Sequence, residues 1–381
     1  MDTLGLYIHV PFCKSKCRYC DFCSFPAPKP HRIEAYLDAL CREIEAYGQK
    51  EHPYHTDAAH RTVDTVYFGG GTPTLLSPSD LARVMEAIRR VFRIANDAEI
   101  TAECNPATAD LTYFQSLRAI GFNRLSIGAQ SMQSGELKRL GRLHTADDVK
   151  KTVADAREAG FDNVSLDLMF GIPEQTEESL ADTLAAALFL SPDHLSVYGL
   201  QIEEGTYFAR HQDELPLPDE ETERAMYMRT IDTLSAHGLY PYEISNFARR
   251  GRESRHNLRY WRRQDYIGLG LAAHSCMGDL RFANTEVLDR YLEGDYRETE
   301  ERVSPHDILA ERVMLGMRLT EGVDFSTLAR KHGNEARRYR DALAAYAKYG
   351  LVTEDENRIA FTKEGSYVSN AILADVLDFE K

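Results

Sequence analysis

The sequence predicts an α/β protein whose core is a partial (β/α)6 TIM-like barrel, and three observations support this. Short apolar runs typical of strands alternate with helical patterns over roughly the first 200 of the 381 residues. Several helix candidates begin at an N-cap signal, such as Ser77 or Thr145, and several end at a glycine, such as Gly121. Repeated βα units form a parallel sheet with right-handed crossovers, and six units are too few for a closed eight-stranded barrel.

The elements follow in chain order. Strands are predicted at 5–10, 65–68, 99–103, 124–128, 163–167 and 194–198, and helices near 31–48, 79–92, 110–120, 146–159 and 176–190. The last 80 residues indicate helices at 307–318, 325–332 and 335–349, strands around 351–353 and 358–361, and a final helix, a pattern that favours a winged-helix-like module. We therefore expect a barrel over 1–205, a less regular α+β connecting region over 206–300 and a C-terminal domain over 301–381.

Composition excludes several classes of function. The chain is 43% hydrophobic and 28% charged, which is typical of a soluble globular protein. Its net charge of -15 provides no general attraction for nucleic acid or anionic membranes. No run approaches the ~20 apolar residues of a membrane span, and the N-terminus lacks the pattern of a signal peptide. We expect a cytoplasmic protein with no membrane span and no nucleic-acid partner.

Three cysteines lie close together near the start of the chain. Cys13, Cys17 and Cys20 have the spacing C-x3-C-x2-C, and the total of seven cysteines is a poor fit to a disulfide framework. A structural zinc site takes four protein ligands, for which Cys23 is the available fourth, so a zinc protein without redox function remains an alternative. A four-iron cluster held by three cysteines instead keeps one iron open to another ligand.

Polar and glycine-rich segments follow the next predicted strands, at the end of a parallel βα sheet where ligands bind. They are Gly69-Gly70-Gly71-Thr72-Pro73, then Glu103-Cys104-Asn105-Pro106, then Gln130 with Arg142 further on, and then Asp167 with Phe170-Gly-Ile-Pro173. Each alone is ordinarily a tight turn, a solvated acid or a surface residue. Five consecutive strand ends of this kind, counting the cysteines, predict one assembled site.

Together these motifs resemble the radical S-adenosylmethionine (radical SAM) superfamily, and more narrowly the oxygen-independent coproporphyrinogen III oxidase group. The resemblance rests on Tyr7-Ile-His9-Val-Pro11-Phe-Cys13, the cysteine spacing, the glycine segment and Glu103-x-Asn105-Pro106. It implies a radical SAM barrel with a [4Fe-4S] cluster on the three cysteines and S-adenosyl-L-methionine at the open iron. The positions it assigns to S-adenosylmethionine are Tyr7, Gly70, Gly71, Thr72, Glu103, Gln130, Arg142 and Asp167.

Within that group the chain is most similar to the HemW-type haem chaperone branch. Where the oxidase has a further cysteine, this chain has Phe22, and it has only six residues before Tyr7. It also carries the branch's motif as His256-Asn257-Leu-Arg-Tyr260-Trp261. The resemblance implies a haem carrier on a radical SAM scaffold, without coproporphyrinogen oxidase activity. A radical SAM oxidoreductase of porphyrin metabolism is the alternative.

The motif can be given a role in haem binding. His256 is a candidate axial iron ligand, Tyr260 and Trp261 are candidates to cover a porphyrin face, and the arginines of 249–263 suit haem propionates. The opposing interpretation is a solvated basic loop with an aromatic anchor. The expected partners are haem, a haem-acceptor protein and an electron donor. The sequence identifies neither the acceptor nor the donor. The resemblance also makes a homodimer plausible.

Overall fold

The computed structural model describes residues 3–52 and 60–379. Residues 1–2 of the expected barrel and 380–381 of the expected C-terminal domain lie outside the described residues. Within the described part, twelve strands join one sheet in the order β14-β13-β12-β11-β1-β4-β5-β6-β7-β8-β10-β9. The strands are β1 Thr3–Val10, β2 Phe12–Cys13, β3 Phe25–Pro26, β4 Thr62–Gly70, β5 Arg93–Cys104, β6 Arg124–Gln130, β7 Val164–Phe170, β8 His194–Gly199, β9 Tyr240–Pro241, β10 Asn246–Ala248, β11 Tyr266–Leu269, β12 His274–Met277, β13 Leu280–Asn284, β14 Arg297–Arg302, β15 Val323–Asp324, β16 Val352–Asp355 and β17 Arg358–Phe361.

The centre of the sheet is parallel, as the repeated βα units predict. β1, β4, β5, β6, β7 and β8 are consecutive parallel neighbours. β11, which comes from the middle of the chain, pairs in parallel with the other side of β1 and places Gly268 opposite Tyr7. The residues between 266 and 302 therefore continue the barrel sheet. Their three antiparallel strands β12, β13 and β14 extend its edge.

The helices cover the sheet and have the predicted caps. They are α1 Pro30–Ala46, α2 Pro78–Val91, α3 Leu111–Ile120, α4 Ser134–Leu140, α5 Ala146–Glu158, α6 Glu177–Phe189, α7 Tyr207–Arg210, α8 Glu220–Ala236, α9 Arg255–Trp261, α10 Leu288–Glu293, α11 Pro305–Met317, α12 Phe325–His332, α13 Asn334–Ala344, α14 Lys363–Tyr367 and α15 Ser369–Val376. Ser77 and Thr145 form capping boxes with Asp80 and Asp148, and Gly121 ends α3 in the left-handed region. These features confirm the α/β fold class.

The C-terminal residues form their own apolar core. α11, α12 and α13 precede the hairpin of β16 and β17, and β15 adds a third strand, which is the winged-helix-like arrangement. Their buried side chains, such as Val313, Tyr339 and Ile359, cluster separately from the barrel core. Throughout the described ranges, no helix is long and apolar enough to span a membrane.

Candidate functional site

A cavity of about 370 Å³ opens where the parallel strands end. The three N-terminal cysteines lie at one side of it, and the ends of β4 to β8 form the other walls. Of the residues predicted from the sequence, it is lined by Cys13, Cys17, Cys20, Gly70, Gly71, Thr72, Glu103, Gln130, Arg142 and Asp167. The structure therefore brings together residues that are up to 154 positions apart in the chain, as the strand-end argument predicts (167 − 13 = 154).

The cysteine loop connects β2 to β3 and is held by contacts with distant parts of the chain. Thr72 Oγ1 donates to Cys13 Sγ (3.5 Å), and Arg142 Nη1 donates to Cys17 Sγ (3.5 Å). The Arg18 amide donates to the Leu140 carbonyl (3.1 Å). Donors directed at sulfur stabilise the thiolate form, which is the form that binds metal.

The three cysteines at the cavity are a donor set that suits an iron–sulfur cluster. In the part of the chain that the structure describes, no three His, Cys, Asp or Glu side chains converge on one point. A mononuclear zinc requires its ligand atoms within about 2.3 Å of one centre, whereas an iron–sulfur cluster takes each thiolate on a different iron. Cys23 is directed away from the cavity, with its Sγ 4.0 Å from the Glu286 carbonyl. Three separated thiols around one cavity are thus compatible with a [4Fe-4S] cluster.

The glycine segment is explained by close packing of backbone. A Cβ on Gly71 would lie 2.6 Å from the Phe12 carbonyl oxygen, and a Cβ on Gly70, where φ is +103°, would meet the His9 ring. The Gly71 and Thr72 amides donate to the carbonyls of Val10 and Phe12 (both 2.8 Å). Glycine is therefore needed so that the end of β4 can lie directly against the start of the cysteine loop.

Two half-buried carboxyl groups form the acidic side of the cavity. Glu103 accepts from Tyr67 OH (2.9 Å) and from the Gly70 amide (3.1 Å), and Asp167 accepts from Ser126 Oγ (3.0 Å). Burial, reinforced by the Asp167 charge, raises the pKa of Glu103 to about 7. Burial also raises the pKa of Asp167. A ligand that donates hydrogen bonds or carries positive charge would stabilise both carboxylates.

Arg142 and Asn105 connect the end of β6 to the cysteine loop, and Gln130 lies beside them. Besides Cys17, the Arg142 guanidinium donates to Asn105 Oδ1 and to the Gly128 carbonyl (2.7 Å). Gln130 ends β6 with φ at +63°, a conformation that non-glycine residues adopt rarely and that occurs often at binding sites. Asn105 Nδ2 in turn donates to Thr72 Oγ1 (2.7 Å), so one hydrogen-bonded chain joins both ends of the site.

The remaining predicted residues lie outside the cavity wall. Tyr7 lies behind it, sharing a hydrogen bond with His9 Nδ1 (3.0 Å) and stacking on Tyr67. His256, Tyr260 and Trp261 belong to α9, which packs against β4. His256 is 1% exposed, and its ring nitrogens are hydrogen bonded to Thr65 Oγ1 (2.9 Å) and Tyr260 OH (2.8 Å).

Within the arginine-rich segment, residues 255–261 therefore form a packed helix, whereas Arg249 and Arg250 before it are exposed. Arg259 is buried and pairs with Asp64, and Trp261 lies under the Arg318 guanidinium of the C-terminal region. Burial, reinforced by the nearby Arg259 charge, lowers the pKa of His256 to about 3, so its ring is neutral as an iron ligand must be. The haem role of His256, Tyr260 and Trp261 stays a prediction, and it requires one of the two hydrogen bonds of His256 to open, because iron binds a single ring nitrogen.

On the inward face of β6, sequence reasoning predicted only Gln130 and missed the other three residues. Arg124, Ser126, Gly128 and Gln130 all line the cavity, while the alternate residues Leu125, Ile127 and Ala129 are buried against the helices. The same alternation continues on β7 and β8, where Asp167 and Ser196 are register partners. The signal was present as a period of two in polar residues within apolar strands.

Comparisons with known proteins agree with this geometry. Residues 7–187 match the Radical SAM superfamily, and residues 303–368 match the HemN C-terminal domain. The chain is 36% identical to the heme chaperone HemW of Bacillus subtilis (strain 168), covering 97% of this chain and 98% of that protein. It is 34% identical to the heme chaperone HemW of Escherichia coli (strain K12), covering 98% of both.

The solved structure of coproporphyrinogen III oxidase (HemN) from Escherichia coli, a radical SAM enzyme, is also similar. It has a TM-score of 0.84 at 29% sequence identity, and the match covers 98% of this chain and 89% of that one. The two sets of comparisons thus agree on the scaffold and differ in the activity of the relatives.

Proposed function

The chain belongs to the HemW family of haem chaperones within the radical SAM superfamily, and on that premise we propose that it binds haem and transfers it to an acceptor protein. It carries a [4Fe-4S] cluster and S-adenosylmethionine as cofactors. The observation that carries the proposal is that the cysteines and the strand-end residues, predicted separately, line one cavity in a chain that matches HemW proteins over nearly its whole length.

The residues around the cavity fit the two cofactors in different ways. Cys13, Cys17 and Cys20 would hold the cluster, and Glu103 and Asp167 would bind hydrogen-bond donors or positive charge of S-adenosylmethionine. When bound, a cluster with one open iron supplies a site for the amino and carboxylate groups of S-adenosylmethionine and a source of single electrons. Arg142 and Thr72 hold the loop in place through hydrogen bonds to Cys17 and Cys13.

Coproporphyrinogen III oxidation is the second candidate function, because the oxidase shares the fold at a TM-score of 0.84. Two observations oppose it. Phe22 stands where the oxidase has a further cysteine, and its ring is 59% exposed at the rim of the cavity. The curated relatives matched over the full chain at 31–36% identity, from Lactococcus lactis to Bacillus subtilis, are heme chaperones. An exposed apolar rim suits contact with a porphyrin or a protein rather than an additional metal ligand.

A haem titration tests the proposal. Anaerobically reconstituted protein should bind haem with a saturable change in Soret absorbance and should release it to an apo-haem protein. Cys17→Ala should lose the iron and sulfide of the cluster, while Cys276→Ala, which changes a buried cysteine on β12, should keep both. A full iron and sulfide count in Cys17→Ala would contradict the three-cysteine cluster site.

We further propose that the haem acceptor and an electron donor are separate proteins that reach the open side of this cavity. The exposed lysines Lys14 and Lys16 flank the cysteines, although the chain as a whole carries a net charge of -15. This local positive charge favours an acidic electron donor. A homodimer and a cytoplasmic location are part of the same proposal and are tested by sedimentation and by cell fractionation.

A further inference from the structure

Arg124 occupies an unusual position at the inner end of the cavity. Its side chain lines the cavity and is only 1% exposed. Among the residues that the structure describes, none accepts a hydrogen bond from its guanidinium or forms an ion pair with it, and its Nε is a buried donor without a partner. A guanidinium has five N–H donors, and leaving them unpaired in the interior costs free energy, so the arrangement needs an explanation.

The acids near Arg124 are already engaged elsewhere. Glu99 accepts from the backbone amides of Arg255 (3.2 Å) and His256 (3.1 Å) at the start of α9. Asp167 accepts from Ser126. Both acids attract the guanidinium from a distance, but neither satisfies its donors. The positive charge of Arg124 is therefore balanced by nearby acids, but its N–H donors lack hydrogen-bond acceptors.

A second unsatisfied donor lies beside it. Thr101 on β5 is the register partner of Arg124 on β6, it is fully buried, and its hydroxyl has no hydrogen-bond partner. A guanidinium and a hydroxyl side by side, both lacking acceptors, match an oxygen-rich acceptor rather than a donor or an apolar group.

We propose that Arg124 forms a carboxylate subsite at the inner end of the cavity, with the buried Thr101 hydroxyl beside it as a neighbouring donor behind the cavity wall. The inference rests on the proposed function, because that function supplies two ligands with carboxylates. Haem has two propionates, and the one carboxylate of S-adenosylmethionine has a second oxygen that an arginine could bind while the first binds the open iron. The planar guanidinium can donate two parallel hydrogen bonds to one carboxylate, which is the strongest pairing available to an arginine in a protein interior. The subsite fixes the orientation of the ligand whose carboxylate it binds.

Binding measurements on the full-length, cluster-reconstituted protein test this. Wild type, Arg124→Met and Arg124→Lys are compared by equilibrium dialysis with S-adenosylmethionine and by absorbance titration with haem and with haem dimethyl ester. Arg118→Met is the matched control, because Arg118 lies on the surface of α3, outside the cavity. We expect Arg124→Met to weaken one ligand about tenfold, Arg124→Lys to weaken it less, and the control to change nothing.

The pattern of losses identifies the carboxylate. Weaker haem binding with unchanged binding of the dimethyl ester assigns the subsite to a propionate, and weaker S-adenosylmethionine binding assigns it to the amino-acid carboxylate. The proposal would be overturned if Arg124→Met bound both ligands within twofold of wild type. It would also be overturned if the variant lost equal affinity for haem and for the dimethyl ester while its S-adenosylmethionine affinity stayed unchanged.

Two safeguards keep the result decisive. If Arg124→Met does not fold, Thr101→Val removes the neighbouring donor with little change of volume, and the same outcomes apply to it and to Arg124→Lys. If wild type binds no haem, the proposed function fails, but the S-adenosylmethionine measurement still decides whether Arg124 binds a carboxylate.

Discussion

At the scale of single residues, Glu103 provides a pH dependence that can be measured. Its pKa of about 7 in the free protein means that it is protonated below neutral pH. If Glu103 contacts S-adenosylmethionine as a carboxylate, binding below about pH 7 requires the release of a proton. The affinity for S-adenosylmethionine is therefore highest above pH 7 and decreases as the pH falls. We expect about a tenfold loss of S-adenosylmethionine affinity between pH 8 and pH 6 in anaerobic dialysis.

The control for this prediction is Glu103→Gln. The amide keeps the size of the side chain and does not titrate, so its affinity should be nearly constant over the same range. An equal slope in Glu103→Gln and wild type would show that another group is responsible.

Single residues also show what the sequence could reveal. Cys13, Glu103 and Asp167 stand at or just after the ends of predicted strands, and the rule that parallel sheets bind ligands at strand ends was enough to place them. Arg124 and Ser126 lie inside a strand, where the same rule gives no signal. Arg124 was missed because an arginine at the start of an apolar strand is ordinarily an exposed residue, and only the register of β5, β6 and β7 shows that it is directed inward.

At the scale of elements, α9 is the part of the protein whose role changed most. The sequence left open a solvated basic loop or a haem motif, and the structure shows a buried helix that contacts β4 and α11. Its neighbour β11 joins β1 across more than 250 residues of chain. Local patterns cannot predict such a pairing, and the strands of 266–302 were therefore missed. β1 and β4 to β8 were found because each is followed by its own helix.

A mutation in α9 tests its proposed role in haem binding. We expect His256→Ala to change the Soret band of the haem complex and to weaken haem binding, with cluster content unchanged, because the axial ligand is lost. It should also lower the free energy of unfolding by about 2 kcal/mol, since Thr65 and Tyr260 lose a buried partner.

Tyr260→Phe is the matched control in the same helix. It breaks the hydrogen bond to His256 Nε2 but keeps the imidazole and an aromatic ring, so the Soret band should stay as in wild type. An unchanged Soret band and affinity in His256→Ala would contradict the assignment of His256 as the ligand.

At the scale of the whole molecule, the C-terminal region is joined to the barrel by ion pairs of unequal burial. Glu311 on α11 pairs with Arg263 and Arg281, and the Arg263 side chain is only 4% exposed. Glu321 pairs with Arg262, and both of those side chains are about half exposed. Removing one partner of a buried pair leaves a charge unpaired, whereas an exposed pair contributes little.

We therefore expect Glu311→Ala to lower the free energy of unfolding by roughly 3 kcal/mol, and Glu321→Ala by less than about 1 kcal/mol. Calorimetry should show the C-terminal region melting earlier in Glu311→Ala, because its apolar core is separate from that of the barrel. Equal destabilisation by the two substitutions would mean that the buried pair does not hold the regions together.

The most direct test of the central claim is a product analysis on the reconstituted protein. It is incubated anaerobically with a reductant, S-adenosylmethionine, haem and coproporphyrinogen III, with the Escherichia coli oxidase as a positive control. We expect haem to be bound and passed to an apo-haem protein, while coproporphyrinogen III is recovered unchanged. Conversion of coproporphyrinogen III to its decarboxylated product, with no transfer of haem, would contradict that claim.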